Sequence, residues 1–289
     1  MASRDNSSRR RPASKGNSQK QKGRKKDKNY RIDPRNIKNF KKESSGEPKK
    51  SSPSDGIRLN KYIANAGICS RREADIFIAA GNVTVNGNII TEMGYRVLSS
   101  DIVRFDDQPL SVEEKRYVLL NKPKNYLTSL EDERGRKTVM ELVAGATRER
   151  IYPVGRLERN TTGLLLFTND GDMVKKLTDP KRNVKQLFHV TLDKKLSLKD
   201  FQRLSDNIVI EGKMVFIENA SYIDGQPKNE IGIQIHSGRN RIIAKIFDHL
   251  GYQVIKQDRV IFAGLTKKNL PRGRYRELTQ QEINNLYMI

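Results

Sequence analysis

Cysteine is nearly absent from this chain: Cys69 is the only one among 289 residues. A single thiol excludes an intrachain disulfide framework and fits a reducing compartment. One cysteine and three histidines also exclude a closed zinc site. His189, His236 and His249 are scattered and read as structural or exposed residues rather than ligands. No apolar run approaches the length of a membrane span. The N-terminus is basic and polar, without the hydrophobic core of a signal peptide. A cytoplasmic protein without a membrane partner is the expectation. Phosphate-loop and dinucleotide glycine patterns are missing, as is any internal repeat. Acid is scarce too. The 34 Asp and Glu face 56 Lys and Arg, a formal charge of +22, which favours a polyanionic partner.

The charge is unevenly spread. Residues 1–56 hold 18 basic and 6 acidic side chains and so carry more than half of the excess. They show no apolar periodicity and cannot bury enough surface to offset their ordering entropy. They read as a disordered basic tail, either an electrostatic arm for nucleic-acid phosphates or a solubilising extension.

Residues 57–110 read as a small domain. Ile57, Leu59, Tyr62, Ile63 and Ala66 recur at helical spacing, and Gly67 stops that helix. Ser70 is placed to cap a second helix running to Ala80. Val83 and Val85 precede the turn Asn86-Gly87, a hairpin signal, with short strands expected at Tyr95–Val97 and Ile102–Phe105. The basic residues Arg58, Lys61, Arg71 and Arg72 lie near two helix starts, where anions are favoured.

A polar linker, 111–115, leads to a larger domain, 116–289. Tyr117 to Leu120 reads as a buried strand and Asn121-Lys122-Pro123-Lys124 as the loop after it. The stretch 130–137 reads as a charged loop, and Thr138–Ala144 as a short helix. Strands are expected at Gln186–Leu192, Ile208–Ile210, Met214–Ser221, Glu230–Ile235, Val254–Val260 and Ile261–Leu265. Helices are expected after Gly171, at Leu198–Leu204, at Arg241–Leu250 and after Thr279, which forms a capping box with Glu282. Scattered helices among antiparallel-looking strands argue an α+β fold.

The stretch organising this domain is VGRLERNTTGLLLFTNDGD, from Val154 to Asp172. Charged residues crowd a loop just before the most apolar run of the chain, a loop–strand–turn arrangement on which a site can be built. It resembles the signature of RNA pseudouridine synthases of the RsuA/RluB type. Residues 58–87, RLNKYIANAGICSRREADIFIAAGNVTVNG, resemble the S-four RNA-binding domain, whose contacts would include Ser70 beside Arg71 and Arg72. Together the resemblances cover residues 57 to about 283. They imply a small αβ RNA-binding domain, then a mixed, largely antiparallel sheet with a central RNA cleft. They also imply no cofactor, a ribosomal RNA partner, free or within a subunit, and a monomer as sufficient.

The resemblance implies a catalytic Asp that opens the reaction at the ribose, where Glu158 stands here. Arg156, two residues earlier, matches the Arg that helps to hold the flipped nucleotide. The Tyr against the base falls on Phe188. The G-R-N-R motif is Gly238-Arg239-Asn240-Arg241, and the basic position after it, which pairs with the acid, falls on Ala244, next to Lys245. Glu moves the carboxylate by about an ångström, and such misplacement lowers rates roughly a hundredfold. Phe188 keeps a stacking face without a hydroxyl, and Ala244 brings no cation. Arg272 and Arg274 read equally well as RNA contacts or as loop charges. Two functions stand: a pseudouridine synthase, impaired or inactive, or a non-catalytic factor binding ribosomal RNA or acting in ribosome assembly. A general basic coating protein rests on charge alone.

Overall fold

The computed structural model describes residues 56–206, 208–236, 239 and 241–289. Apart from Gly56, the expected tail lies outside them.

In the first domain the helix Leu59–Asn65 buries Leu59 and Ile63. It starts later than its spacing predicts: Ile57 and Arg58 are extended and pair with Val97 and Arg96. The next helix, Arg71–Ala79, opens with a full capping box. The Ser70 hydroxyl accepts from the Glu73 amide, and the Glu73 carboxylate accepts from the Ser70 amide. Asn86 and Gly87 both have positive φ, 52° and 84°, which sets the hairpin joining Val83–Val85 to Asn88–Ile89. Val103–Phe105 pairs on the other side and continues to Gln108–Pro109. Leu59, Ile63, Ala74, Ile78, Val83, Val85 and Val103 close this small core.

Among the described residues the second domain has one large sheet, the expected largely antiparallel one. Its strands run in the order Ile217–Tyr222, Glu230–Ile235, Gln186–Leu192, Val254–Phe262, Thr162–Thr168, Tyr117–Lys122 and Tyr275–Glu277. Two short strands add to it: Tyr152–Pro153 beside Thr162–Thr168, and Leu265–Thr266 beside Val254–Phe262. Every residue of Tyr117–Lys122 and Thr162–Thr168 is buried. Their side chains alternate between two cores: Val118, Leu120, Leu165 and Phe167 on one face, Tyr117, Leu119, Leu164 and Leu166 on the other. Burial on both faces is why the leucine run is continuous rather than alternating.

One pairing in the sheet is parallel: Asp258 and Arg259 lie against Thr162 and Gly163. Gly163 has φ +104°, and a Cβ there would lie 2.2 Å from the Arg259 carbonyl oxygen. The signature glycine is therefore required by the close approach of a neighbouring backbone.

Several boundaries move. Asn121 and Lys122 belong to the buried strand, not to a loop. The expected strand Met214–Ser221 is two, Lys213–Val215 and Ile217–Tyr222, because they pair with different partners. The two strands expected between Val254 and Leu265 are one strand to Phe262, which turns back through Ala263 and Gly264 at positive φ. The edge strand Tyr275–Glu277 has no apolar alternation to announce it. Among the described residues no helix is long and apolar enough to cross a membrane.

Candidate active site

The loop between Val154 and Thr161 is held from behind by Lys122, whose side chain is fully buried. Its ammonium donates to the carbonyl oxygens of Glu158 at 3.0 Å, Arg159 at 3.1 Å, Thr161 at 2.8 Å and Pro123 at 3.2 Å. Burial, with a smaller push from Arg272, pulls the ammonium down to about 8, so it stays charged at neutral pH. Thr128 adds a hydroxyl bond to the Leu157 carbonyl at 2.8 Å.

The far end of the loop is held by Asp258. It accepts from the Thr162 hydroxyl at 2.8 Å and from Arg272 at 2.9 Å, and it pairs with Lys267. Burial pushes its carboxyl up, but the bonds from Arg272, Lys267 and Thr162 outweigh burial and hold it below its ordinary value. Arg272 thus serves an ion pair within the fold.

In front of the loop lies a cavity of about 450 Å³. It gathers Arg156, Glu158, Phe188, Arg239 and Arg241, all singled out from the sequence. Glu158 faces Arg241, whose Nε is 3.6 Å from the carboxylate. Arg241 has φ +58° at the start of the helix Ile242–His249, a left-handed backbone that non-glycine residues adopt at some strain. Phe188 is 4% exposed on the Gln186–Leu192 strand and offers its ring to the cavity wall. Arg239 donates to the Met214 carbonyl at 3.1 Å. Arg156 is exposed.

Other expected residues are elsewhere. Ala244 is half-buried on the helix and is not in the cavity lining. Lys245 is bonded to Glu211 at 2.6 Å, which holds that carboxyl below its usual range. Asn240, with Gly238, lies outside the described residues. In the first domain Lys61 pairs with Asp172 at 2.7 Å, and Arg71 packs against Gly171, both at the signature's final turn. Ser70 is engaged as a helix cap, while Arg58 and Arg72 are exposed.

That turn is fixed by Asp170, 4% exposed. It accepts from the hydroxyls of Tyr117 and Tyr287, both at 2.8 Å, pairs with Lys115 at 2.8 Å, and caps the helix Gly171–Thr178. Burial opposes its charge, but the bonds from Lys115, Tyr287 and Tyr117 prevail and hold it far below the usual carboxylate range.

Sequence reasoning missed Lys122, Asp258 and Arg259. Arg259 is 3% exposed on the strand beside the signature and lines the same cavity. Its Nε donates to the Leu164 carbonyl at 2.8 Å and its Nη1 to Gln186 Oε1 at 3.0 Å. Its guanidinium lies over the Phe262 ring, 4.3 Å from the centroid. Burial alone pulls it down to about 9, still charged at neutral pH. The available signal was a charge inside a strand whose neighbours are apolar, in VLLNK and in DRVIF.

Among the described residues no group of three His, Cys, Asp or Glu is placed to hold a metal ion. The arrangement is a cation-rich hollow of about 450 Å³ whose lining, among the described residues, holds one carboxylate, Glu158, and the aromatic residues Phe188 and Phe262. Residues 116–249 match the model of the RNA pseudouridylate synthase family, and residues 57–103 that of the S4 domain. The chain is 37% identical over 233 residues to "Ribosomal large subunit pseudouridine synthase B" of Bacillus subtilis, covering 79% of this chain and 95% of that one. It is 32% identical over 240 residues to "Dual-specificity RNA pseudouridine synthase RluF" of Escherichia coli, covering 82% of this chain and 80% of that one. A solved "Crystal structure of pseudouridylate synthase" superposes with a TM-score of 0.55 at 28% identity, over 80% of this chain and all of the other. The chain belongs to the RsuA/RluB-type RNA pseudouridine synthase family with an S4 domain.

Proposed function

We propose that this protein grips a uridine of ribosomal RNA in the cavity, and that its isomerase chemistry is impaired or lost. The observation that carries the reading is the surrounding of Glu158. Where the family resemblance implies an Asp served by a cation at position 244, this chain has a longer acid and Ala244. The adjacent Lys245 is committed to Glu211 at 2.6 Å. Phe188 supplies a stacking face but no proton. The binding parts are retained: Arg156, Arg239 and Arg241 at the cavity, and Arg58 and Arg72 exposed on the S4 domain. Residues 57–110 and 116–289 then work as two RNA-gripping units of a cytoplasmic protein, on free RNA or within a ribosomal subunit. A basic arm at 1–56 adds electrostatic reach.

A second reading, retained isomerisation, is favoured by one contact. Arg241 places a cation 3.6 Å from the Glu158 carboxylate, three residues before the position the family resemblance implies for it. The contact is longer than a charge-assisted hydrogen bond and half open to solvent, so it aims the acid loosely.

Incubation with unmodified ribosomal RNA, followed by base-resolved pseudouridine mapping and by binding at several salt concentrations, separates the two. The expected result is binding that weakens steeply with salt and no new pseudouridine. A site-specific product that disappears in Glu158→Ala would overturn the impaired reading.

A further inference from the structure

Arg259 lies buried in the cavity lining. Arg259 brings five N–H donors into the protein interior. Nε and Nη1 are engaged, but Nη2, though buried, has no hydrogen-bond partner among the described residues. An orphaned buried donor costs stability, and such groups are kept where a ligand supplies the missing acceptor. No carboxylate raises its affinity for its proton; burial is the only influence on it. Among the described residues Arg259 is therefore not half of an ion pair. It is a fixed positive donor with one arm unspent, in the wall of that hollow.

Position decides what that arm can read. Glu158, its side chain 39% exposed, stands at the mouth, where the ribose must lie if the acid is to face it. Arg259, at 3% exposure, lines the same hollow from its buried side, which places it against the base rather than the backbone phosphate. The ring atom of a pyrimidine farthest from its ribose bond is C4. In uracil C4 carries a carbonyl oxygen, an acceptor. In cytosine it carries an amine, a donor that a guanidinium cannot accept. The Gln186 carbonyl oxygen is already turned toward Arg259, so it holds the guanidinium plane in place.

Resting on the reading of the cavity as a pyrimidine nucleotide pocket, we infer that Arg259 is a specificity-determining residue that donates from Nη2 to O4 of the inserted base and so selects uracil over cytosine. Arg156, Arg239 and Arg241 then hold the ribose–phosphate side with little regard to the base.

Uridine 5′-monophosphate and cytidine 5′-monophosphate, titrated into the full chain by calorimetry, test this. Wild type is expected to bind the uridine nucleotide about tenfold or more tightly, the penalty of facing a buried donor with another donor. Arg259→Met keeps the stem of the side chain and removes the donors; its two affinities are expected to fall within about twofold of each other. A folding defect in that variant is bypassed by wild-type protein carrying ¹⁵N-arginine. There the buried guanidinium resonances are expected to shift with the uridine nucleotide and not with the cytidine one. Equal affinities in wild type, a preference that survives in a folded Arg259→Met, or guanidinium signals that respond alike to both nucleotides would overturn the assignment of Arg259 alone. Binding of neither nucleotide would overturn the pocket reading and this assignment together.

Discussion

The back and the front of the Val154–Thr161 loop are built to different standards. Behind it, Lys122 donates to four carbonyl oxygens and Asp258 accepts from a hydroxyl and two cations. In front, Glu158 has one described cation at 3.6 Å, held by a residue with a left-handed backbone. The back resists change because buried charges with several partners are expensive to disturb. The front tolerates it, because a half-exposed pair contributes little to stability. On the proposed reading, precision at the acid is lost while the fold and the cavity stay.

The contrast can be broken from either side. The largest effect is expected for Gly163→Ala, which places a Cβ 2.2 Å from the Arg259 carbonyl at a φ of +104°. It should lower stability in urea melts by more than about 3 kcal/mol. Lys122→Met strips the donors from the carbonyls of the loop; a loss of about 3 kcal/mol is expected, with weaker RNA binding. A wild-type-like melt would show that the ammonium is dispensable and the back no firmer than the front.

Asp170→Asn comes next, at about 2 kcal/mol by thermal melt at neutral pH. Its pH dependence sharpens the test. The native carboxyl is held below its unfolded value near 3.8, so its contribution is fully present above that value. It is lost as pH falls through the lower native value, when the carboxylate takes up a proton. Wild type should therefore lose stability below about pH 4 more steeply than Asp170→Asn. Parallel acid profiles would remove Asp170 as a source of the difference. The smallest effect is expected at the front. Glu158→Gln should change stability by less than about 1 kcal/mol, in keeping with a half-exposed pair.

The parts of this molecule that were legible in the sequence are those whose signals are local. The caps at Ser70 and Thr279 and the Asn86-Gly87 turn stand where their residues predict. Arg156, Glu158 and Phe188 line one cavity, as the family resemblance implies. Illegible were the features decided by distant partners. Asn-Lys-Pro reads as a loop, yet Lys122 is buried because carbonyls 36 to 39 residues away collect around it. Asp258 and Arg259 look like ordinary strand charges until the parallel pairing with Thr162 and Gly163 brings them to the site. Arg241, left-handed just before the helix Ile242–His249, faces Glu158, while Lys245 inside that helix faces Glu211.

The central claim is that the hollow is sound and its chemical edge is not. Base-resolved pseudouridine mapping on ribosomal RNA, run side by side for wild type and the triple variant Glu158→Asp, Phe188→Tyr, Ala244→Arg, tests it most directly. The account predicts a new pseudouridine in the triple variant and none in wild type. A wild-type product at a defined uridine, lost in Glu158→Ala, would contradict it.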